Sequence, residues 1–288
     1  MRHRFRGERQ REEMEDMIGN SPGLIGHISD VLYMKNGRMS LFPHGISNSV
    51  TASAVLFPLS RQCGGARPSP QPCIIFNKRS QKVKQPGDLC FPGGRIAPHL
   101  DVWVSRLLTM PFLPLARWSY WSQWRTWRPR QARRLALLFA TSLRESFEEM
   151  RLNPFGVNFL GPLPSQSLSM FDRVIYPMVA WIPRQRRFFP NWEVERIVRI
   201  PLSNLLDPGR YACYRLRFET GKEIRQEPGT QDFACYLHED HNEREVLWGA
   251  TYRIVMAFLD LVFGFRPPDI GSLPVVHGAL DENYYGGA

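Results

Sequence analysis

Three glutamates in the middle of the chain have the spacing of one face of a helix. Glu145, Glu148 and Glu149 lie three and four residues apart, and side chains at these distances share one side of an α-helix. Carboxylates packed this closely repel one another unless positive charge lies among them, and Arg144 alone cannot neutralise three. The segment is therefore either an acidic face that water solvates or a site for a hard divalent cation such as Mg²⁺, which prefers oxygen ligands.

A glycine pair upstream makes the second alternative the stronger one. Gly93 and Gly94 follow a strand-like apolar segment, where they allow a sharp turn and a close approach to a ligand, and Pro92 stiffens the entry. Together with the later Arg-Glu-x-x-Glu-Glu run, this turn resembles the Nudix box, a pattern of glycine, an early glutamate and then Arg-Glu-(apolar)-x-Glu-Glu-x-Gly. The Arg-Glu half of the pattern is well matched.

The box departs from the family pattern in three places. The early acid is best matched by Asp101, one residue late, and Arg151 stands where the family has its second glycine. Residues from about 102 to 135 form an insertion inside the box. A long loop closes at little extra entropic cost if its ends lie close together. The sequence leaves open whether Asp101 contacts Arg144 and whether Arg151 shifts the helix.

Three further blocks occur in the order that the family predicts. Residues 74–80, with Lys84 and Gly87, resemble the segment that precedes the box in the coenzyme A diphosphatase branch of the Nudix family. Residues 193–202 and 247–251 resemble a later strand and the last helix of that branch. The resemblance implies an α/β/α sandwich with a mixed, curled sheet between helices. It also implies a Nudix domain at 51–265, preceded by an extension at 1–50 and followed by a tail at 266–288.

The resemblance also implies roles for individual residues. It predicts hydrolysis of the diphosphate linkage of a nucleoside diphosphate derivative, with coenzyme A or an acyl-CoA as the leading substrate. The glutamates Glu145, Glu148 and Glu149 would hold Mg²⁺ or Mn²⁺, and Arg144 would orient them. Glu193 or one of these glutamates would be the general base, Gly93 and Gly94 would shape the turn, and Arg79 and Lys84 would meet substrate phosphates.

Hydrophobic patterning predicts the order of the elements. Strands are expected near 54–59, 73–76, 174–181, 194–200, 211–218 and 233–236, with a Gly/Pro/Ser-rich loop at 64–72. Helices are expected at 129–150 and 248–263, and another near 9–18. Residues 238–241 contain metal-capable side chains but are more typical of a solvated loop. Arg184, Arg186 and Arg187 could meet phosphate or form the exposed end of a hairpin.

The insertion is rich in tryptophan and arginine. Five of the eight tryptophans fall within it, and they alternate with arginines. The tryptophans are Trp103, Trp118, Trp121, Trp124 and Trp127. This composition fits a helical flap that packs on its own domain. It also fits a self-association surface, or a segment that contacts a membrane or the substrate.

Composition limits the class of protein. With 288 residues and 43% hydrophobic content, the chain can bury the core of one domain with extensions. No apolar run approaches the roughly 18 residues that span a bilayer, and the arginine-rich start lacks the apolar stretch of a secretory signal, which favours a cytoplasmic location. Five unpaired cysteines predict neither a disulfide framework nor a zinc site. The net charge of +10 suits an anionic partner without selecting one, and no nucleic-acid partner is expected.

Two functions from other classes remain open at this point. The broken box and Arg151 would suit a catalytically weak or silent module that binds a nucleotide, although such a module has little reason to keep three crowded glutamates. The insertion would suit a membrane-surface or assembly protein.

Overall fold

The computed structural model describes residues 18–19, 21–38, 52–61, 71–168, 173–218, 229–240, 243–280 and 284. The helices are α1 (Ser21–Arg38), α2 (Pro98–Leu108), α3 (Trp121–Trp127), α4 (Pro129–Met150), α5 (Leu202–Leu205) and α6 (Gly249–Phe263). The first strands are β1 (Ala52–Ser60), β2 (Cys73–Arg79), β3 (Leu89–Cys90), β4 (Gly93–Arg95), β5 (Asn158–Pro162) and β6 (Gln166–Leu168). The later strands are β7 (Arg173–Ile182), β8 (Val194–Pro201), β9 (Tyr211–Phe218), β10 (Thr230–Asp240), β11 (Glu243–Leu247) and β12 (Val275–Leu280).

Two mixed sheets organise these strands. The larger sheet has the order β3-β2-β1-β7-β5, with β4 paired to β1, β6 to β7 and β8 to β2. Its β1 and β7 are parallel, and the other pairs in it are antiparallel. The smaller sheet has the order β11-β10-β9-β12, with β12 parallel to β9. Strands distant in sequence therefore meet at the centre of the larger sheet.

The larger sheet is covered by helices on both faces. All nine residues of β1 are buried, as expected for a strand covered on both faces. Val55 and Phe57 pack in the core that contains α1 and α6, whereas Ala54 and Leu56 pack in the core that contains α4. The predicted α/β/α sandwich with a mixed sheet is confirmed.

Most predicted elements occur where the hydrophobic pattern places them. The predicted helix 129–150 is α4, the closing helix is α6, and the predicted strands fall within β1, β2, β7, β8, β9 and β10. The predicted helix near 9–18 and most of the predicted loop at 64–72 lie outside the described residues.

Two of the elements that were not predicted lie outside the predicted domain limits. In α1, Leu24, Ile28 and Leu32 are fully buried, so the core includes residues that precede the predicted boundary at residue 51. The apolar pattern of this helix is weak because its aliphatic side chains lie among glycines and polar residues. In the predicted tail, β12 pairs with β9. The predicted domain limits themselves stay a prediction.

The insertion packs on its own domain through three of its tryptophans. Trp118, Trp121 and Trp124 are 4%, 5% and 3% exposed and lie in the core under α4. Trp118 Nε1 donates to Ser29 Oγ at 3.1 Å, which joins the insertion to α1. These contacts agree with the helical flap, the first of the alternatives. Trp103 and Trp127, in contrast, are 65% and 74% exposed.

No helix in the described part of the chain is both long and apolar enough to cross a bilayer. The cysteines in this part, namely Cys73, Cys90, Cys213 and Cys235, are free thiols.

Candidate active site

The last turns of α4 carry the predicted carboxylates and end at Arg151. This residue has left-handed backbone angles, φ 55° and ψ 38°, which a non-glycine residue adopts at a cost of about 1 to 2 kcal/mol. Its N–H donates to Phe147 O at 3.0 Å and the next N–H donates to Ser146 O at 3.3 Å, so the helix ends as it would with glycine. The arginine in the glycine position therefore keeps the left-handed turn.

Arg144 joins the two halves of the divided box. Its Nε donates to Asp101 Oδ1 at 2.7 Å, and its Nη2 donates to the carbonyl oxygen of Arg95 at 3.0 Å. The same guanidinium contacts Glu145 Oε1 at 3.0 Å and Glu148 Oε2 at 3.1 Å. Burial opposes the charge, but the hydrogen bond that Arg144 donates to Asp101 and the charges of the neighbouring carboxylates outweigh it and raise the pKa of Arg144. The predicted early acid thus reaches Arg144 across the insertion.

Asp101 is positioned by two helices. It lies in the first turn of α2 and is fully buried, and its Oδ2 accepts hydrogen bonds from Ala97 N at 2.7 Å and from Thr141 Oγ1 at 2.8 Å. The first bond satisfies a backbone donor at the start of α2, and the second ties α2 to α4. The insertion therefore begins with a helix that returns the carboxylate to Arg144.

Glu149 is the most buried of the three glutamates, at 8% exposure. Its Oε2 accepts a hydrogen bond from Asn77 Nδ2 at 2.6 Å, and its Oε1 accepts one from the backbone N–H of Gly93 at 3.2 Å. Burial raises the pKa of Glu149 to about 8, against the effect of the Gly93 N–H and with the help of the Glu145 and Glu193 charges. The carboxylate is held in place by two neutral donors.

Glu145 and Glu148 line the same helix face. Glu145 is half-buried, and burial raises its pKa, while the neighbouring Arg144 lowers it. A Cβ at Gly94 would lie 2.5 Å from Cδ of Glu145, so the glycine leaves the space that this carboxylate fills. The Glu148 side chain is 50% exposed. The three glutamates thus line a surface that runs from the sheet to solvent.

Glu193 belongs to the same site although it is distant in sequence. It lies in the turn before β8, and its charge contributes to the raised pKa of Glu149. The turn is fixed because Asn191 N donates to Glu149 O at 2.8 Å and Ser80 N donates to Glu193 O at 2.9 Å. Glu193 therefore lies beside Glu149, while Arg144 contacts Glu145, Glu148 and Asp101.

The predicted phosphate-binding residues lie at the end of β2 and in the loop that follows it. Arg79 Nε donates to the Lys84 carbonyl oxygen at 2.7 Å, and the Lys84 side chain is exposed. Arg79 also approaches Cys90. Burial raises the pKa of the Cys90 thiol to about 12, an effect that the Arg79 charge partly opposes and the Glu149 charge reinforces. Arg79 therefore faces the site, whereas the structure shows no contact between the Lys84 side chain and the glutamates.

The far end of this loop is tied to the last described residue. Asp88 accepts hydrogen bonds from Tyr284 Oη at 2.6 Å and from Trp248 Nε1 at 3.0 Å. Burial raises the pKa of Asp88, and these two donors lower it. These bonds hold the loop that follows Arg79 against Trp248 and Tyr284.

Asn77 is a residue of the site that was not predicted. Its side chain is fully buried in β2, it donates to Glu149, and its Oδ1 has no hydrogen-bond partner among the described residues. An amide at the end of the buried apolar segment Cys73 to Phe76 is itself a signal, because a buried polar side chain needs a partner. That signal could have placed Asn77 beside the glutamates.

The interpretation of residues 238–241 as a solvated loop was wrong where the structure describes them. β10 continues through His238 and Glu239, which pair with Glu245 and Arg244 of β11, and His238 is buried. Strand pairing with β11 overrides the polar composition that indicated a loop. Arg184, Arg186 and Arg187 are exposed in the segment after β7.

The donor set fits a hard divalent cation in its chemistry. Among the described residues, no three His, Cys, Asp or Glu side chains are already arranged around a common ion position. Glu145 and Glu148 instead contact Arg144, and Glu149 accepts from Asn77 and Gly93. Burial opposes the charged form of Glu149 first, and the Glu145 and Glu193 charges oppose it further, so a cation bound to its oxygens would stabilise that form.

Comparison with known proteins gives one informative match. No protein-family profile matches the chain. Two curated proteins, both named uncharacterized Nudix hydrolase NudL and from two strains of Klebsiella pneumoniae, are 27% identical over 162 residues. This similarity supports the Nudix hydrolase family. The match covers 55% of the chain and 62% of each relative, so the chain spans less than two thirds of the length of the curated relatives that it matches.

Solved Nudix structures resemble the chain only loosely. A Nudix hydrolase from Alicyclobacillus acidocaldarius is 15% identical, with 54% of this chain and 81% of that one covered at a TM-score of 0.34. An Ap4A hydrolase from C. elegans is 11% identical, with 54% and 83% covered at a TM-score of 0.33. These values add nothing to the sequence match.

The two glycines of the turn should respond differently to alanine. A Cβ at Gly93 would lie 2.6 Å from Val55 Cα, so backbone must move, and we expect Gly93→Ala to cost about 2 kcal/mol or more in unfolding free energy. A Cβ at Gly94 would meet only the Glu145 carboxylate, and we expect a folded protein with turnover lowered about tenfold or more.

Thermal unfolding and turnover separate the two variants. Gly26→Ala in α1 is the control, because nothing lies within 4 Å of its new Cβ and alanine favours a helix. Full turnover in Gly94→Ala would show that the Glu145 position is unimportant.

Proposed function

We propose that the chain is a divalent-cation-dependent hydrolase of the diphosphate linkage in nucleoside diphosphate derivatives. The observation that supports this proposal best is that the two halves of the divided box meet in space. Arg144 contacts both Asp101 and the Arg95 carbonyl, while Glu149 accepts from Gly93. An acidic face that served only solvation would need neither the buried Asp101 nor the close glycine turn.

The residues divide the work between holding and positioning. Glu145, Glu148 and Glu149 would hold Mg²⁺ or Mn²⁺, which when bound would supply positive charge against the diphosphate oxygens. Arg144 would orient the glutamates, because it contacts two of them and is itself fixed by Asp101. Arg79 ends β2 beside Cys90, where its guanidinium would bind a phosphate oxygen.

Glu193 is the preferred general base. Both oxygens of Glu149 already accept hydrogen bonds, and Glu145 Oε1 contacts Arg144. Glu193 is half-buried in the turn beside Glu149. It would take the proton of the attacking water as the new bond to phosphorus forms and the anhydride bond breaks, so that a second phosphate leaves.

Coenzyme A or an acyl-CoA is the proposed substrate class. The support is the sequence resemblance of residues 74–80, Lys84 and Gly87 to the coenzyme A diphosphatase branch. Gly87 has a positive φ of 79° and its N–H donates to Arg79 O at 2.9 Å, so this segment forms a tight loop beside the site. The exposed Lys84 would meet a phosphate at the mouth of that loop.

A substrate panel tests the proposal. The full chain is incubated with coenzyme A, an acyl-CoA, dinucleoside polyphosphates and nucleoside diphosphate sugars, each with Mg²⁺, with Mn²⁺ or with chelator. We expect metal-dependent release of two phosphate-bearing products, fastest from coenzyme A or its thioester, and no release with chelator.

Two outcomes would count against parts of this proposal. Turnover of another panel member but not of coenzyme A would reject the substrate class and keep the hydrolase. Failure to cleave any member with either metal, in protein whose thermal unfolding is cooperative, would reject the hydrolase itself.

A further inference from the structure

The outer face of α2 exposes large apolar side chains. Helix residues advance about 100° each, so the buried Asp101 and Ser105 define the inner face and Trp103 lies on the opposite side. Leu100 and Trp103 are 50% and 65% exposed, and Arg106 is exposed beside them. None of these three side chains is needed to pack α2 onto α4.

The exposure continues beyond the end of α2. Met110 is 53% exposed and Phe112 is 89% exposed, the latter at a residue with a positive φ of 68°. Trp127, at the end of α3, is 74% exposed. A phenylalanine in a left-handed turn almost wholly in water has no packing role in the described structure. We call Leu100, Trp103, Met110 and Phe112 the α2 apolar surface.

The charged residues of the insertion are all of one sign. Between residues 102 and 143 the chain has seven arginines and neither an aspartate nor a glutamate. Arg106, Arg125 and Arg130 are exposed. Net charge over the whole chain is also positive, at +10. The partner of this surface must therefore carry negative charge and accept apolar side chains.

These requirements select among the partners. A second copy in a twofold dimer would place the same patch, with its arginines, against itself, and like charges would meet. A nucleic acid would satisfy the arginines but offers little to Leu100 and Met110. An anionic lipid surface satisfies both, because aromatic side chains lie at the headgroup level and arginine meets lipid phosphate.

We propose that the α2 apolar surface and the exposed arginines of the insertion dock the protein on anionic lipid surfaces as a peripheral contact. This role goes beyond the proposed hydrolase and does not depend on it. Since Asp101 lies on the inner face of the same helix, docking would place the active site close to the lipid surface.

Vesicle cosedimentation of the full chain tests the proposal. Vesicles of phosphatidylcholine alone are compared with vesicles that also contain phosphatidylserine, at low and high salt. We expect binding to the anionic vesicles that weakens with salt. The double variant Trp103→Ser with Phe112→Ser should lower that binding about tenfold or more, because it removes the inserting side chains.

Control variants remove the same types of side chain from a different part of the surface. Phe189→Ser with Trp192→Ser removes the same residue types at 64% and 62% exposure, and we expect binding to be unchanged. Arg106, Arg125 and Arg130 changed together to Gln should weaken binding, whereas Arg184, Arg186 and Arg187 changed to Gln should have a smaller effect. Thermal unfolding of each variant establishes that it is folded.

Three results would overturn the proposal. The first is that the wild type does not bind the anionic vesicles. The second is that the control variants lose as much vesicle binding as Trp103→Ser with Phe112→Ser. The third is that this double variant keeps vesicle binding but loses dimerisation or single-stranded nucleic-acid binding.

Discussion

Glu149→Gln is expected to abolish most turnover while making the metal-free protein more stable at alkaline pH. Removal of a residue that only orients a metal ligand typically lowers metal affinity or activity about 10- to 100-fold. The loss of a proposed ligand should therefore lower kcat by about 100-fold or more. The neutral amide keeps the size of the side chain. Its effect on folding should therefore report the charge alone.

The stability gain follows from the direction of the pKa shift. The folded pKa of Glu149, about 8, lies above the ordinary value of 4.5, because the charged form is buried. The contribution of this carboxyl to stability is therefore complete below about pH 4.5 and is lost as pH rises to about 8. Near pH 9 without divalent cations, glutamine should raise the free energy of unfolding by on the order of 2 kcal/mol.

Hydrogen bonding lets the amide fit. Glu149 accepts from Gly93 N and from Asn77 Nδ2, and Asn77 Oδ1 has no partner among the described residues. Rotation of the Asn77 amide would turn this oxygen toward the new Nε2, while Gly93 still donates to the remaining oxygen.

Turnover and thermal unfolding against pH measure the two effects. Glu239→Gln, at an exposed position of β10, is the control and should change neither. Added Mg²⁺ should stabilise the wild type more than Glu149→Gln, because ligand binding favours the folded state. A variant with full kcat, or with a lower Tm than the wild type at alkaline pH, would refute the assigned role.

The second large effect is expected for Asp101→Asn. The fully buried carboxylate accepts hydrogen bonds from Arg144 Nε, Thr141 Oγ1 and Ala97 N. In the variant, the amide NH2 would face one of these N–H or O–H groups, and that hydrogen bond would be lost. Removing one partner of a buried ion pair typically costs about 3 to 5 kcal/mol. We expect a loss of this size in unfolding free energy, with turnover lowered about 10- to 100-fold because Arg144 is no longer held.

An exposed pair with similar geometry provides the control. Arg215 donates through Nε and Nη2 to Asp232 at 2.7 and 2.8 Å, but both side chains are 40% exposed. Asp232→Asn should therefore lower the free energy of unfolding far less than Asp101→Asn. Denaturant unfolding of the two variants gives the comparison, and similar losses in both would show that burial of Asp101 is not what makes its contact strong.

The helix that carries the site could be predicted from local sequence. In α4 the apolar periodicity, the proline at its first residue and Pro154 beyond its end act within a few residues of one another. The spacing of Glu145, Glu148 and Glu149 determined that they share a face. These features depend on neighbours along the chain, so they are present in the sequence itself.

What surrounds those glutamates could not be predicted from local sequence. Asp101 lies 43 residues from Arg144 and Asn77 lies 72 residues from Glu149, and only the packing of α2 and β2 brings them together. The same holds for Glu193 and for the buried part of α1. The sequence by itself determined which residue types share the helix face, whereas the tertiary structure decided their burial, their partners and their pKa values, because desolvation and charge pairing depend on distance in space rather than along the chain.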